Sequence, residues 1–464
     1  MVQAVEPRRW LILGVMCIGL VVTGLDSLIV SVALPTIEHA LGASPEDLQW
    51  IVAAYSVAFA TFLLFGGSVA DKLGRKATLL GGLAVFLLAS LMAALSPTVA
   101  VLILSRALMG VGAAFTMPAT LAIVKQIFPA HERGKAIGIW VGMSSLGIPL
   151  GPLVGGVLLR WFPWGSVFLI NVPLLLIALV ACVVLVPESR RGGVGRLDVP
   201  GLVLSVVGLS ALVYAITMWP SAAASGRLWL ALGSLVLAVL ALGAFVFWER
   251  RTSSPLIGLQ VVRQRSFSVP LVTIAGLFFA VFGALFVITQ VLQNAQGLSP
   301  LMAGLHMLAL CTAVPASSVS PKLAAQAGLK VTAAVSGASV ALACAVLAVS
   351  PFSPSVTALV SLGLLGVGIG FGAPPSVDSI MGSVPDTQAG AGAAMADVAM
   401  QLGGALGITV MGTLGALSFP STNAPGIAGL LVGLACIAIT WPALRDLRPQ
   451  QETSPELAEM KGTS

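Results

Sequence analysis

Apolar residues in this chain come in long blocks, and charged residues gather in the short gaps between them. A helix needs about 20 mostly apolar residues to cross the roughly 30 Å hydrocarbon core of a bilayer. Fourteen blocks meet that length: 10–34, 48–70, 77–95, 99–124, 134–158, 165–187, 198–219, 228–248, 267–293, 300–320, 331–350, 355–376, 391–418 and 426–443. The pattern predicts an all-α integral membrane protein with fourteen transmembrane helices. An even number of spans puts both ends of the chain on one side. The first block, about 25 residues long and followed by others, is too long for the apolar region of a cleavable signal.

Composition removes the alternatives. Of the 464 residues, 58% are apolar and 9% charged, against about 25% charged in an average soluble protein. Disorder would need the opposite balance, low hydrophobicity with high net charge. Cys17, Cys182, Cys311, Cys344 and Cys436 all lie inside apolar blocks without metal-ligand spacing, so they read as small packing residues. The net charge of +6 would suit nucleic acid, but its distribution argues otherwise. With both termini cytoplasmic, all but three of the 23 Lys and Arg fall on the inner side; Arg160 and Arg227 face outward and Arg106 lies within a span. That is the positive-inside rule, so topology accounts for the basic charge and no nucleic-acid partner is expected.

The two longest inner connections, 188–197 and 249–266, divide the chain into six, two and six spans. The expected units are a six-helix bundle (1–197), a two-helix insertion (198–250), a second six-helix bundle (251–443) and a polar, disordered cytoplasmic tail (444–464). A weak internal repeat fits this division. SVADKLGRK (68–76) follows the second span of the first bundle, and SVSPKLAAQAGLK (318–330) follows the second span of the other. Paired halves of this kind are one plan of secondary transporters.

Several motifs carry a family resemblance. GGSVADKLGRKATL (66–79) resembles the loop signature of the major facilitator superfamily, and LILSRALMGVGAA (102–114) resembles its fourth-span signature, with Met109 where Gln is usual. GIWVGMSSLGIPLGPLVGG (138–156) is similar to the antiporter signature throughout: Gly138, Gly147, Gly151, Pro152, Gly155 and Gly156. LDSLIVSVALP (25–35), VLQNAQGLSPLMAG (291–304) and QLGGALG (401–407) look like the fourteen-span drug–proton antiporters. Departures are WGS at 164–166, where an Arg more often follows the Trp, and Asp397, where Asn is more usual. The resemblance implies a proton-coupled antiporter that exports small amphipathic drugs or antibiotics by alternating access. It also implies that Asp71 and Arg75 form a cytoplasmic charge cluster latching the two halves.

The residues can also be read on their own chemistry. Asp26 lies roughly 13 Å, and Arg106 roughly 11 Å, below the outer surface at 1.5 Å per helical residue. Opposite charges at matching depth face the interior and tend to pair. Such a pair is either structural or contains a carboxylate that takes up and releases a proton. Asp397 is a second membrane acid, either part of the proton route or solvated by an inward vestibule. Gly147, Gly151 and Gly155, four apart, form a smooth stripe that admits a close neighbouring helix, while Pro149 and Pro152 permit a bend. Tyr55, Trp140, Met143, Asn171 and Gln290 are candidates for lining a substrate cavity. Asp378 reads as interfacial and His306 as a packing residue.

Other functions lack their residues. No phosphate-binding loop of the G-x4-G-K-[ST] type occurs, and GVGIGFG (366–372) lies within a span. With only three His, no metal site is expected. No cofactor is expected either, the proton gradient being the energy source. A membrane enzyme would need a catalytic cluster, and a channel a polar ring. Uptake or exchange of a metabolite or nutrient on the same fold is the alternative, which the antiporter spacing disfavours. The expected partners are the small-molecule substrate, protons and the lipid bilayer, with a monomer in the inner (cytoplasmic) membrane.

Overall fold

The computed structural model describes residues 7–187, 198–224, 226–252, 259–349 and 354–416. Among them the chain is helical, with no strand, and thirteen helices are long and apolar enough to cross a membrane. These are α1 (Arg9–Leu41), α2 (Pro45–Leu73), α3 (Arg75–Ala94), α4 (Val99–Ile127), α5 (Ala130–Trp161), α6 (Ser166–Leu185), α7 (Val199–Ala224), α8 (Leu228–Glu249), α9 (Arg265–Gln290), α10 (Leu301–Ala327), α11 (Leu329–Val349), α12 (Pro354–Ser383) and α13 (Ala389–Ala416). The last apolar block, 426–443, the 188–197 connection and the polar tail lie outside the described residues.

Several helices outrun their apolar blocks, because helix continues where polar residues leave the bilayer. α1 runs through Pro35 to Leu41 and stops at Gly42, whose φ of 62° is left-handed; the Gly42 N–H then bonds the Glu38 carbonyl, a common glycine stop. α2 starts at once with a capping box: Ser44 accepts from Asp47 N, Asp47 accepts in return from Ser44 N at 2.9 Å, and Pro45 holds the first turn. The two repeat segments end alike. Gly74 (φ 111°) separates α2 from α3, and Gly328 (φ 85°) separates α10 from α11.

Packing repeats with an offset of eight helices. α1 packs on α5 as α9 packs on α13; α2 on α4 as α10 on α12; α3 on α4 as α11 on α12. The two sets meet along α5 with α10 and along α2 with α13. α7 and α8 form a hairpin, and α7 packs against both α2 and α13. Thr61 bonds Ser210 at 3.0 Å, Trp50 stacks on Tyr214 at 5.8 Å, and Thr409 donates to the Ile216 carbonyl at 3.0 Å. α8 exposes Trp229, Val236, Val239, Leu240 and Phe247. A face so apolar suits lipid.

Candidate functional site

Three helices bring polar groups to one buried point beside α1. Asp26 on α1, Arg106 on α4 and Asn171 near the start of α6 are all 0% exposed, and Tyr55 on α2 is 3% exposed. Arg106 Nη1 donates to Asp26 Oδ2 in an ion pair. Asn171 Nδ2 donates to the other carboxylate oxygen, Oδ1, at 3.1 Å. The Arg106 Nε–H goes to the Ile51 carbonyl of α2 at 3.0 Å, and its guanidinium lies 4.6 Å from the Tyr55 ring centre. The Tyr55 hydroxyl reaches back to the Thr23 carbonyl at 3.4 Å. A charge buried in low dielectric is tolerated only when paired and hydrogen-bonded. Here each oxygen of the carboxylate has one partner, and removal of either charge strands the other.

A second polar cluster joins α2 and α4 to the start of α13 at the end of the molecule rich in Lys and Arg. Asp71, near the end of α2, accepts hydrogen bonds from Gly390 N at 2.8 Å and Ala391 N at 3.0 Å. These N–H groups belong to the first turn of α13 and have no partner within that helix. A carboxylate suits them in charge as well as hydrogen bonding, since helix starts carry partial positive charge. The α2 backbone comes this close because a Cβ on Gly67 would run into the Gly390 carbonyl, and one on Gly390 into that of Gly67. Arg75 spans the same seam: Nη1 bonds the Ala122 carbonyl at 3.0 Å and Gln126 Oε1 at 2.9 Å, and Nη2 the Asp386 carbonyl at 2.6 Å. Asp71 and Arg75 themselves stand 3.9 Å apart. Lys125 adds a bond to the Val384 carbonyl and lies 3.6 Å from Asp386.

The glycines of α5 divide between two neighbours. Gly147 and Gly151 meet the backbone of α1: a Cβ would fall 2.6 Å from the Val21 carbonyl oxygen at Gly147 and 2.6 Å from that of Leu25 at Gly151. At Gly155 it would press on the Ile29 side chain at 2.8 Å. Gly138 instead lies against Ser317 of α10, and Gly156 against Leu301 of α10. Pro152 packs on Gly304, again of α10. The spacing explains the division. Gly147 follows Gly138 by nine residues, two and a half turns at about 3.6 residues per turn, so the two point in opposite directions. α5 is thereby fixed to α1 on one side and presented to α10 on the other.

Residues 16–408 match the family profile of the Major Facilitator Superfamily. The chain belongs to that superfamily. It is 34% identical over 417 residues to the multidrug resistance protein Stp of Mycobacterium tuberculosis, covering 88% of this chain and 76% of that one. It is 35% identical over 424 residues to the puromycin resistance protein pur8 of Streptomyces alboniger, covering 89% and 83%. Among solved structures it superimposes on the proton:xylose symporter XylE with a TM-score of 0.69 at 16% identity, covering 95% of this chain and 96% of that one. At that identity the likeness speaks for the fold alone.

Set within this superfamily fold, the other candidate residues fall in varied places. Trp140 is 1% exposed and donates its indole N–H to Thr120 Oγ1 at 3.0 Å, inside the packing of α4 and α5. Met143 is half-buried and Gln290 exposed at the end of α9. Asn171, read from the sequence as a cavity residue, belongs to the Asp26 cluster. Asp397 on α13 is 2% exposed, and neither of its carboxylate oxygens has a hydrogen-bond partner. Asp378 on α12 lies near Gly134 of α5. His306 Nδ1 sits 2.8 Å from the Met302 carbonyl one turn back in its own helix. Sequence reasoning had no means of naming the backbone partners, namely the Ile51, Ala122, Val384 and Asp386 carbonyls and the Gly390 and Ala391 N–H groups, because every residue type carries them.

Proposed function

We propose that the protein is a proton-driven antiporter that exports small amphipathic compounds, drugs or antibiotics among them, across the inner (cytoplasmic) membrane. The observation that carries this reading is the buried Asp26–Arg106 pair, an ionisable couple among apolar helices, where charged residues are rare and most often functional. The resistance functions named for Stp and pur8 support export as the direction. In this reading the Lys- and Arg-rich end is cytoplasmic, both termini lie there, and the 426–443 block completes fourteen spans. Two six-helix bundles, 1–197 and 251–443, then rock about a central substrate site, with 198–250 inserted between them and the 444–464 tail free in the cytoplasm. The packing repeat at an offset of eight helices supports that division.

The cycle follows from the charges. A proton arriving from outside neutralises Asp26 and loosens its hold on Arg106, and release of the proton inside restores the pair. The Asp71 and Arg75 contacts hold the cytoplasmic end shut in one half of the cycle and must break in the other, while Gly138, Pro152 and Gly156 let α5 move against α10. Asp397 is a second acid that can join the proton route. One charge crossing 100 mV supplies about 2.3 kcal/mol, enough for more than tenfold accumulation at about 1.4 kcal/mol per factor of ten. No cofactor is required, and the carrier works as a monomer.

The test is transport in proteoliposomes under an imposed pH gradient, against a panel of lipophilic cations and neutral antibiotics. Wild type should concentrate at least one compound in a gradient-dependent way. Asp26→Asn, matched for folded protein, should not. Gradient-driven transport at the wild-type rate by Asp26→Asn would move the proton elsewhere, with Asp397 next to be tested.

A further inference from the structure

The ion pair with Arg106 occupies only one oxygen of Asp26. The other, Oδ1, faces Asn171, whose Nδ2 donates to it at 3.1 Å. Asn171 is completely buried, and its own carbonyl oxygen has no hydrogen-bond partner. Buried polar atoms are almost always paired, so an orphan acceptor next to an ionisable carboxyl calls for an explanation.

The two oxygens of Asp26 are chemically unequal. A guanidinium has five N–H donors and no acceptor. A proton on Oδ2 would therefore meet a donor with nowhere to go. A proton on Oδ1 meets an amide, which has both a donor and an acceptor end. Half a turn about the last side-chain bond of Asn171 would exchange Nδ2 for the orphan oxygen, and the new carboxyl O–H would have its acceptor.

We infer that Asn171 is a positioning residue for the proton: its amide donates to Asp26 when that side chain is ionised, accepts from it when it is protonated, and so directs the proton to Oδ1, away from Arg106. This rests on the proposed role of Asp26. The groups facing Asp26 are few. α4 supplies Arg106, α2 supplies Tyr55 and α6 supplies Asn171. α5 brings its small-residue stripe at this level, its charged and titratable residues His131, Glu132, Arg133, Lys135 and Arg160 lying towards its two ends. On α1 itself Arg9, Glu38 and His39 are near its ends and the Cys17 thiol lies two and a half turns before Asp26, while Cys182 is three turns along α6 from Asn171.

The test needs no transported ligand. Difference infrared spectra of the full chain in lipid, recorded through a pH titration, show a carboxylic acid band for each acid that protonates. The Asp26 band is the one absent from Asp26→Asn. In Asn171→Leu, which has nearly the same shape and no polar group, that band should move to the higher frequency of an unbonded acid. Asn171→Gln keeps the amide and should keep the wild-type band frequency. If the leucine variant does not fold, Asn171→Cys, smaller and a poor hydrogen-bond partner, takes its place with the same expectation. An Asp26 band whose frequency is unchanged in the leucine variant, or in the cysteine variant where that one replaces it, overturns the inference while leaving Asp26 as proton carrier. A wild-type titration with no band attributable to Asp26 overturns both.

Discussion

Replacing Asp71 by Asn removes a charge and little else, so it tests whether the carboxylate holds α2 to α13 at the Lys- and Arg-rich end, as the proposed gate requires. Asp71 takes two N–H bonds from the first turn of α13, at 2.8 and 3.0 Å, with its side chain 8% exposed. An Asn offers one oxygen to one of those donors and turns its own NH2 towards the other. Hydrogen bonds to charged groups contribute about 1.5–3 kcal/mol and neutral ones about 0.5–1.5. One strong bond is lost and the other weakened, which points to the upper part of that range. Against this, the variant no longer buries a charge, which offsets part of the loss. The lower figure, about 1.5 kcal/mol, is therefore the better estimate, and it shifts the ratio of closed to open molecules roughly tenfold. Spin labels at His131→Cys on α5 and Ala325→Cys on α10, both exposed at that end, report the separation of the two sides by electron–electron double resonance. In wild type the short distance should dominate; in Asp71→Asn the long component should grow about tenfold relative to it. A distribution that changes by less than about threefold would mean that the glycine contact between Gly67 and Gly390, not the carboxylate, keeps this end closed.

Further expectations follow from the same geometry. Gly147→Ala places a methyl group 2.6 Å from the Val21 carbonyl oxygen and 2.8 Å from Gly24 Cα; overpacking of this kind costs about 1–3 kcal/mol, and thermal unfolding in detergent at fixed scan rate should show a lower midpoint, an unchanged one refuting the tight α1–α5 contact. Arg9→Ala breaks a pair with Glu132 at 2.7 Å, but both side chains reach water and a surface pair of this kind contributes little, so the midpoint should hardly move; a large drop would refute that reading. If the basic end is cytoplasmic, Ser44→Cys should react with a membrane-impermeant thiol reagent added to intact cells, and Ala325→Cys should react only after the cells are opened. The reverse pattern would invert the topology.

Some of the site could be read from the chain and some could not, for identifiable reasons. Asp26 and Arg106 were legible because a charge inside an apolar block is rare, and helical rise converts position into depth. Asp71 stood out as an acid among bases, but its partners are backbone N–H groups 319 and 320 residues away, and no residue type announces a backbone donor. Asn171 was legible as polar but not as directed. A side chain on an apolar helix can face any of its neighbours, and the contacts of α6 with α1 and α3 decide which. The helix ends are not legible in hydropathy, for a different reason. Hydropathy marks where lipid begins, whereas α1 continues past that boundary to Leu41 because only Gly42 changes the backbone conformation.

The two-sided packing of α5 has a genetic consequence. Defects on its α1 side and on its α10 side should be repaired at different addresses. A bulky residue at Gly151 presses on Leu25 and Ile29 of α1, so compensating changes should arise on α1, as smaller side chains that restore the fit, and should recover protein abundance. A bulky residue at Gly138 presses on Ser317 and Pro321 of α10, where compensation should recover turnover in a protein that was always abundant. Revertants selected on a toxic substrate would then fall into two non-overlapping groups. The sequence of a single motif would have been separated, by selection alone, into the part that builds one bundle and the part that lets it move against the other.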